Sequence, residues 1–124
     1  LGNLLFSYRL YPMIVQSIVA GVDNSIPHLF TLDFLGSVIE EKSYVATGTG
    51  SPVAFGVLED KYRDDFTIEM GLELGLRAVR AATNRDAATG NGYNIATITP
   101  TDGCLIMSEE QIEALIKKIG DSKK

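Results

Sequence analysis

The sequence predicts an α+β domain, and three observations carry that reading. Residues 13–46 hold three short segments rich in Ile, Val and aromatic side chains, joined by connections too short for crossover helices. Residues 52–84 then switch to the helical spacing of apolar side chains. The last stretch pairs an alternating segment with its return across Thr101-Asp102-Gly103 and closes on a capped helix. At 124 residues, with 45% apolar and 22% charged side chains, the chain is globular and has the length of one domain. No repeat or linker divides residues 1–124, so they read as one domain or a piece of one.

Leu1, Leu4, Leu5 and Tyr8 recur at helical spacing and predict an opening helix. No residue before Leu1 is present to cap its free N–H groups, so the chain reads as starting inside a helix, as the C-terminal portion of something longer. Tyr11-Pro12 breaks that pattern, because proline lacks an N–H and drives its predecessor to extended geometry. Met13 to Val22 follows as a first strand, apolar enough to be buried on both faces or nearly so. Asp23-Asn24-Ser25 is a turn, His28 to Asp33 a second strand, Gly36 a turn, and Val38 to Ala46 a third strand. Their short connections predict an antiparallel meander.

Pro52 suits the start of a helix whose apolar face is Val53, Ala54, Val57 and Leu58. Asp64-Asp65 interrupts it, and Thr67 is an N-cap for a long helix to about Asn84, with Glu69 near its positive end. Glu73 and Arg77 have the favourable i, i+4 order. Gly71 and Gly75 each cost roughly 1 kcal/mol of helix propensity relative to Ala, which predicts close approach by another element or subunit. Tyr93 to Thr99 and Cys104 to Met107 form a hairpin. Ser108 and Gln111 make a capping box, Ile112, Leu115, Ile116 and Ile119 an apolar face, and Gly120 a C-cap, with Asp121 to Lys124 as a tail.

A formal charge of −5 gives no electrostatic basis for a nucleic-acid partner. No apolar run is long enough to span a bilayer, and the interspersed charges imply no membrane patch. The single Cys104 cannot form an internal disulfide, which fits a reducing, cytoplasmic setting, and its neighbours Leu105, Ile106 and Met107 predict a buried structural thiol. His28 is the only histidine, so a multi-histidine metal site is excluded, and a packed or hydrogen-bonded imidazole is expected there. Asp64 and Asp65 read as solvated or helix-capping carboxylates rather than metal ligands. No cofactor is implied.

Two polar loops stand out, Gly48-Thr49-Gly50-Ser51 and Arg85-Asp86-Ala87-Ala88-Thr89-Gly90. The first joins a strand to a helix, but no Lys follows it and Val53 stands where a dinucleotide fingerprint needs its third glycine. It is either a plain turn or a turn that orients polar atoms. Asp86 sits at a helix C-terminus, where a negative charge opposes the macrodipole and calls for a partner. Either it closes an Asx turn in solvent, or Asp86 and Thr89 hold a neighbour's amine or hydroxyl. Nothing resembling an activated nucleophile accompanies these loops.

Tyr44-Val45-Ala46-Thr47-Gly48-Thr49-Gly50-Ser51, Ala54-Phe55-Gly56-Val57-Leu58-Glu59 and Arg85-Asp86-Ala87 with Thr89-Gly90 together resemble the β-type subunits of the 20S proteasome, the archaeal ones most. Pro12-Met13-Ile14-Val15-Gln16 and Val22-Asp23 fit the same family, and the resemblance runs through essentially the whole chain. It implies part of the four-layer αββα sandwich of N-terminal nucleophile hydrolases, in a ring that assembles with other β and α subunits and degrades unfolded polypeptide. It also implies threonine-type peptide hydrolysis, in which an N-terminal Thr attacks the carbonyl with its own amine as base and a Lys lowers the local pKa. That Thr, the Lys and an accompanying Asp are implied upstream of Leu1. By matching position, Thr49, Asp86 and Thr89 take supporting roles around the nucleophile's amine, with Gly48 and Gly50 shaping the turn. The family usually carries Ser where this chain has Thr49 and Thr89, which keeps each hydroxyl and adds a methyl that stiffens χ1. The alternative is a non-catalytic structural β-type subunit needed for ring assembly.

Overall fold

Asn24 and Ser25 both take positive φ, 49° and 65°. That is what a two-residue type I′ loop demands, and its twist matches the strands it joins. It folds Ser17–Asp23 (β1) back on Ile26–Leu32 (β2), in register from Asp23↔Ile26 to Ser17↔Leu32. The structure, a computed structural model, describes residues 1–7 and 16–121. The expected break at Tyr11-Pro12, the first residues of the predicted first strand and the tail from 122 onward lie outside these.

The next turn is closed by Asp33, whose Oδ1 accepts from the backbone N–H groups of Leu35 at 2.9 Å and Ser37 at 3.0 Å, while Gly36 takes φ 88°. Val38–Glu41 (β3) then pairs antiparallel with β2, giving the predicted meander in the order β1-β2-β3. The third strand is shorter than its Val38–Ala46 expectation. Beyond a bend at Lys42-Ser43 the chain leaves the sheet, because Tyr44 turns to pack edge-on against Tyr62 (ring centroids 5.1 Å apart) and tilted against Phe55 (6.3 Å). Its hydroxyl donates to Glu59 Oε2 at 2.7 Å, and this bond raises the Tyr44 pKa above that of a free phenol.

Helices lie on both faces of this sheet. Gly2–Ser7 (α1) meets one face at Leu32 and Val38: a Cβ built on Gly2 would stand 3.1 Å from Val38 Cγ2 and 3.9 Å from Leu32 Cδ2. On the opposite face, Ile18 and Leu29 line a cavity of about 450 Å³ whose far wall is Ala54, Leu58, Ala78 and Ala82. That wall belongs to an antiparallel helix pair, Ser51–Lys61 (α2) and Ile68–Arg85 (α3). The first strand is therefore not buried on both faces as its composition suggested. Ile18 lines the cavity rather than touching the helices, and Ile18 and Val19 are 41% and 50% exposed.

The helix pair packs through Ala54, Leu58, Leu74 and Ala78, with Tyr44, Ala46, Val57, Tyr62 and Phe66 around them. Pro52 falls in the first turn of α2, where its missing N–H goes unneeded. Thr67 caps α3 as predicted, its hydroxyl accepting from Met70 N at 3.3 Å. Glu73 reaches Lys118 Nζ at 2.6 Å, so it ties two helices together where the sequence had suggested an Arg77 pair.

Ala96–Thr99 (β4) and Gly103–Ile106 (β5) form the expected hairpin, with Gly103 at φ 65°. Every residue of β5 is exposed, Ile106 at 80%. Cys104 is accordingly an exposed thiol, against the expectation of a buried one. Its apolar neighbours predicted burial, but among the described residues β5 pairs only with β4 and is left exposed.

Glu109–Asp121 (α4) begins with the predicted capping box: Ser108 N donates to Gln111 Oε1 at 2.9 Å, and Gln111 N to Ser108 Oγ at 3.3 Å. Ile112 and Ile119 are buried at 8% and 2% exposure. Gly120 lies within α4 and not at its C-cap, since the helix runs on through Asp121 and Gly120 takes no positive φ. The long α3 helix presents Gly71, Leu72, Gly75, Leu76 and Val79 to a groove of about 770 Å³ whose other wall is residues 92–98. A Cβ on Gly71 or Gly75 would meet nothing within 4 Å, so the close approach expected there does not come from the described residues.

Candidate functional site

The two polar loops that stand out in the sequence come together in space. The first turns tightly after Thr47, with Gly48 at φ 98° and Ser51 N bonded to Gly48 O at 3.1 Å, before α2 begins. The second follows the C-terminal end of α3, where Asp86 is the capping residue. Because α2 and α3 are antiparallel, the start of one and the end of the other are neighbours.

Asp86 is the hub. Its Oδ2 accepts from Thr49 Oγ1 at 2.5 Å and from Thr89 Oγ1 at 2.6 Å. Its Oδ1 accepts from Ala88 N at 3.3 Å, and its backbone carbonyl accepts from Thr89 N at 3.2 Å. The two readings of Asp86 left open by the sequence are thus both partly realised: an Asx turn is present, and a second loop also bonds to the carboxylate. The Thr49 hydroxyl and then the Thr89 hydroxyl hold the Asp86 pKa below the ordinary carboxylate value against an opposing effect of burial, and the Ala88 N–H adds a smaller lowering. These donors also supply the compensation that an acidic helix C-terminus requires.

An ionised Asp86 leaves both threonine hydroxyls with their protons committed to the carboxylate. Their remaining lone pairs are left as acceptors beside a negative charge. Such an array suits an N–H donor, such as an amine, and repels an anion. It holds and orients, and it contains no group poised to attack a carbonyl.

Sequence reasoning missed two contributors. Thr83, one turn before the end of α3, lies with its hydroxyl 3.0 Å from Val79 O and 3.3 Å from Gly90 O, tying the helix to the loop that carries Thr89. A hydroxyl at that place in a last helical turn was the available signal. Ala82, buried at 5% exposure, packs under the first loop at Gly50. His28 lies apart from the cluster. Its Nδ1 is 2.8 Å from Glu40 Oε1 and its ring stacks on Phe30 at 6.0 Å, the hydrogen-bonded imidazole expected. Asp64 and Asp65 are exposed, and no group of three or more His, Cys, Asp or Glu among the described residues could hold a metal ion. No helix among the described residues is long and apolar enough to cross a membrane.

The chain is thus α+β, with a hydroxyl–carboxylate cluster where the start of α2 meets the end of α3. Residues 2–98 match the proteasome subunit family model. The chain is 43% identical over 119 residues to a proteasome subunit beta of Archaeoglobus profundus, covering 96% of this chain and 55% of that protein. It is 50% identical over 99 residues to that of Methanosarcina barkeri, covering 80% and 47%. It is 44% identical over 123 residues to that of Methanococcus vannielii, covering 98% and 56%. The chain belongs to the proteasome subunit family, and its fold is the mixed α+β one consistent with N-terminal nucleophile hydrolases. It spans about half the length of the curated relatives it matches.

Proposed function

We propose that this chain is part of an archaeal-type proteasome β subunit, a component of a core particle that hydrolyses unfolded polypeptides by threonine-type chemistry. In this reading Thr49, Asp86 and Thr89 support catalysis without breaking bonds. The nucleophilic threonine belongs to a part of the relatives' length that this chain does not span. The observation that carries the proposal is the convergence of both threonine hydroxyls on one Asp86 oxygen. Their free lone pairs, next to an ionised carboxylate, would receive the N–H groups of the nucleophile's own α-amine. That amine would then be fixed in the orientation from which it takes the hydroxyl proton as the oxygen attacks the scissile carbonyl. A loosely held amine would lose that alignment, so the cluster acts through geometry and charge.

Partners in this reading are other β and α subunits and the polypeptide substrate, with no nucleic acid, membrane or cofactor. The unpaired thiol of Cys104 supports a cytoplasmic setting. The open Gly71/Gly75 face of α3 is a candidate subunit contact, because none of the described residues comes within 4 Å of a Cβ at either glycine.

The test is peptide hydrolysis by assembled particles carrying Asp86→Asn in the intact subunit. A fall of about tenfold or more in kcat, with assembly unchanged, is the expected result. Unchanged turnover would transfer the reading to the second one, a structural β-type subunit, which threonine in place of the usual serine at positions 49 and 89 favours.

A further inference from the structure

Gly50 invites the explanation that glycine is there to shape the turn, but its backbone does not require glycine. Its φ of −84° and ψ of 0° are accessible to any L-residue. What distinguishes Gly50 is clearance. It is buried, and a Cβ built on it would stand 2.6 Å from Thr89 Oγ1, 2.9 Å from Ala82 Cβ and 3.5 Å from Asp86 Oδ2. Among the described glycines, Gly56, Gly71, Gly75 and Gly90 have nothing within 4 Å of the same position. The missing side chain is therefore the space in which the Thr89 hydroxyl sits while it donates to Asp86.

We propose that Gly50 is a positioning residue for the Thr49–Asp86–Thr89 cluster, acting by steric clearance together with the small Ala82 beneath it. Thr49 is its immediate neighbour, so any retreat of the loop from α3 to accommodate a methyl at position 50 also withdraws the Thr49 hydroxyl from Asp86. One added carbon thus disturbs both hydroxyl donors at once: it displaces Thr89 directly and Thr49 through the backbone. Ala82 closes the other route of escape, because its Cβ blocks movement of the new methyl toward the helix. The importance of this clearance to catalysis rests on the function proposed above, whereas the clearance itself is a property of this chain.

The experiment is a cycle of Gly50→Ala, Thr89→Ala and the double variant in the intact subunit, with Gly56→Ala as the control. It is read by thermal unfolding and by carbon NMR titration of the Asp86 carboxyl. Gly50→Ala is expected to lower the melting temperature by about 5 °C or more and to move the Asp86 midpoint upward, toward that of a free carboxylate. In the Thr89→Ala background, where the clashing oxygen is gone, the same substitution should cost less than about half as many degrees. Gly56→Ala should leave the Asp86 midpoint where it is. An unchanged midpoint in folded Gly50→Ala, or an equal loss in both backgrounds, overturns the proposal. Should Gly50→Ala alone fail to fold, a folded double variant supports it and an unfolded one overturns it. Neither readout involves peptide hydrolysis, so an additive cycle would leave the Asp86→Asn activity test untouched, and a failed activity test would leave the cycle standing.

Discussion

Thr49 Oγ1 donates to Asp86 Oδ2 at 2.5 Å, joining a loop and a helix end that lie 37 residues apart in the chain. The contact ties the start of α2 to the end of α3 at the point where α3 presents the negative end of its dipole.

Acid should weaken that tie. The Asp86 pKa is lowered in the folded chain, so its contribution is present above the ordinary carboxylate pKa and is lost as pH falls through the lowered folded value. Denaturant unfolding at neutral pH and at about pH 3, for the natural chain and Asp86→Asn, measures this directly. The natural chain should lose more stability on acidification than the variant, and parallel losses would show that the three donors do not act on the folded state.

Chemistry at positions 49 and 89 should follow the hydroxyl and ignore the methyl. Thr49→Ser and Thr89→Ser keep the donor to Asp86, and in the intact subunit should leave peptide hydrolysis within about twofold. Thr49→Val and Thr89→Val keep the shape, remove the donor and should reduce kcat by about tenfold or more. Steady-state kinetics on assembled particles decide the matter, and equal effects of Ser and Val would sink it.

Helix α4 is held by apolar burial more than by charge. Ile119, at 2% exposure, should cost about 2–4 kcal/mol when truncated to Ala. Lys118→Met removes the partner of Glu73 at the surface and should cost far less, because solvent and salt screen an exposed ion pair. Equilibrium unfolding of the two variants gives the comparison, and a larger effect of Lys118→Met would reverse the ranking.

The glycines of α3 offer a test of what lies outside this chain. Gly71→Ala and Gly75→Ala meet nothing within 4 Å and should each stabilise the isolated chain by about 0.5–1 kcal/mol through helix propensity. Gly71→Leu and Gly75→Leu should weaken assembly of the particle, measured by native gel or sedimentation. Assembly indifferent to both leucines would remove this face from the list of subunit contacts.

Features encoded within a few residues were legible in the sequence. The Thr67 cap, the reciprocal Ser108–Gln111 box, the turn at Asn24-Ser25 and the meander all follow from local chemistry, and all are present. Thr49, Asp86 and Thr89 were singled out as candidates from loop composition and resemblance, and the structure brings them into one cluster. What stayed hidden depends on neighbours distant in sequence. Cys104 sits among apolar residues yet faces no covering layer, Glu73 finds Lys118 on another helix, and the clearance at Gly50 exists only once α3 has docked. Burial on a strand is a property of what lies opposite it, and apolar composition alone cannot supply that.

The antiparallel α2–α3 pair also bears on the order of folding. The β1–β2–β3 meander, the helix pair and the β4–β5 hairpin each bring together segments adjacent in sequence, so each can close over a short loop at little entropic cost. The bonds to Asp86 differ in kind: Thr89 is three residues away and can bond as soon as α3 ends, whereas Thr49 must wait for two finished helices to meet. The Thr49–Asp86 contact is thus a marker of the docking of α2 on α3, where the Thr89–Asp86 contact marks only the end of one helix.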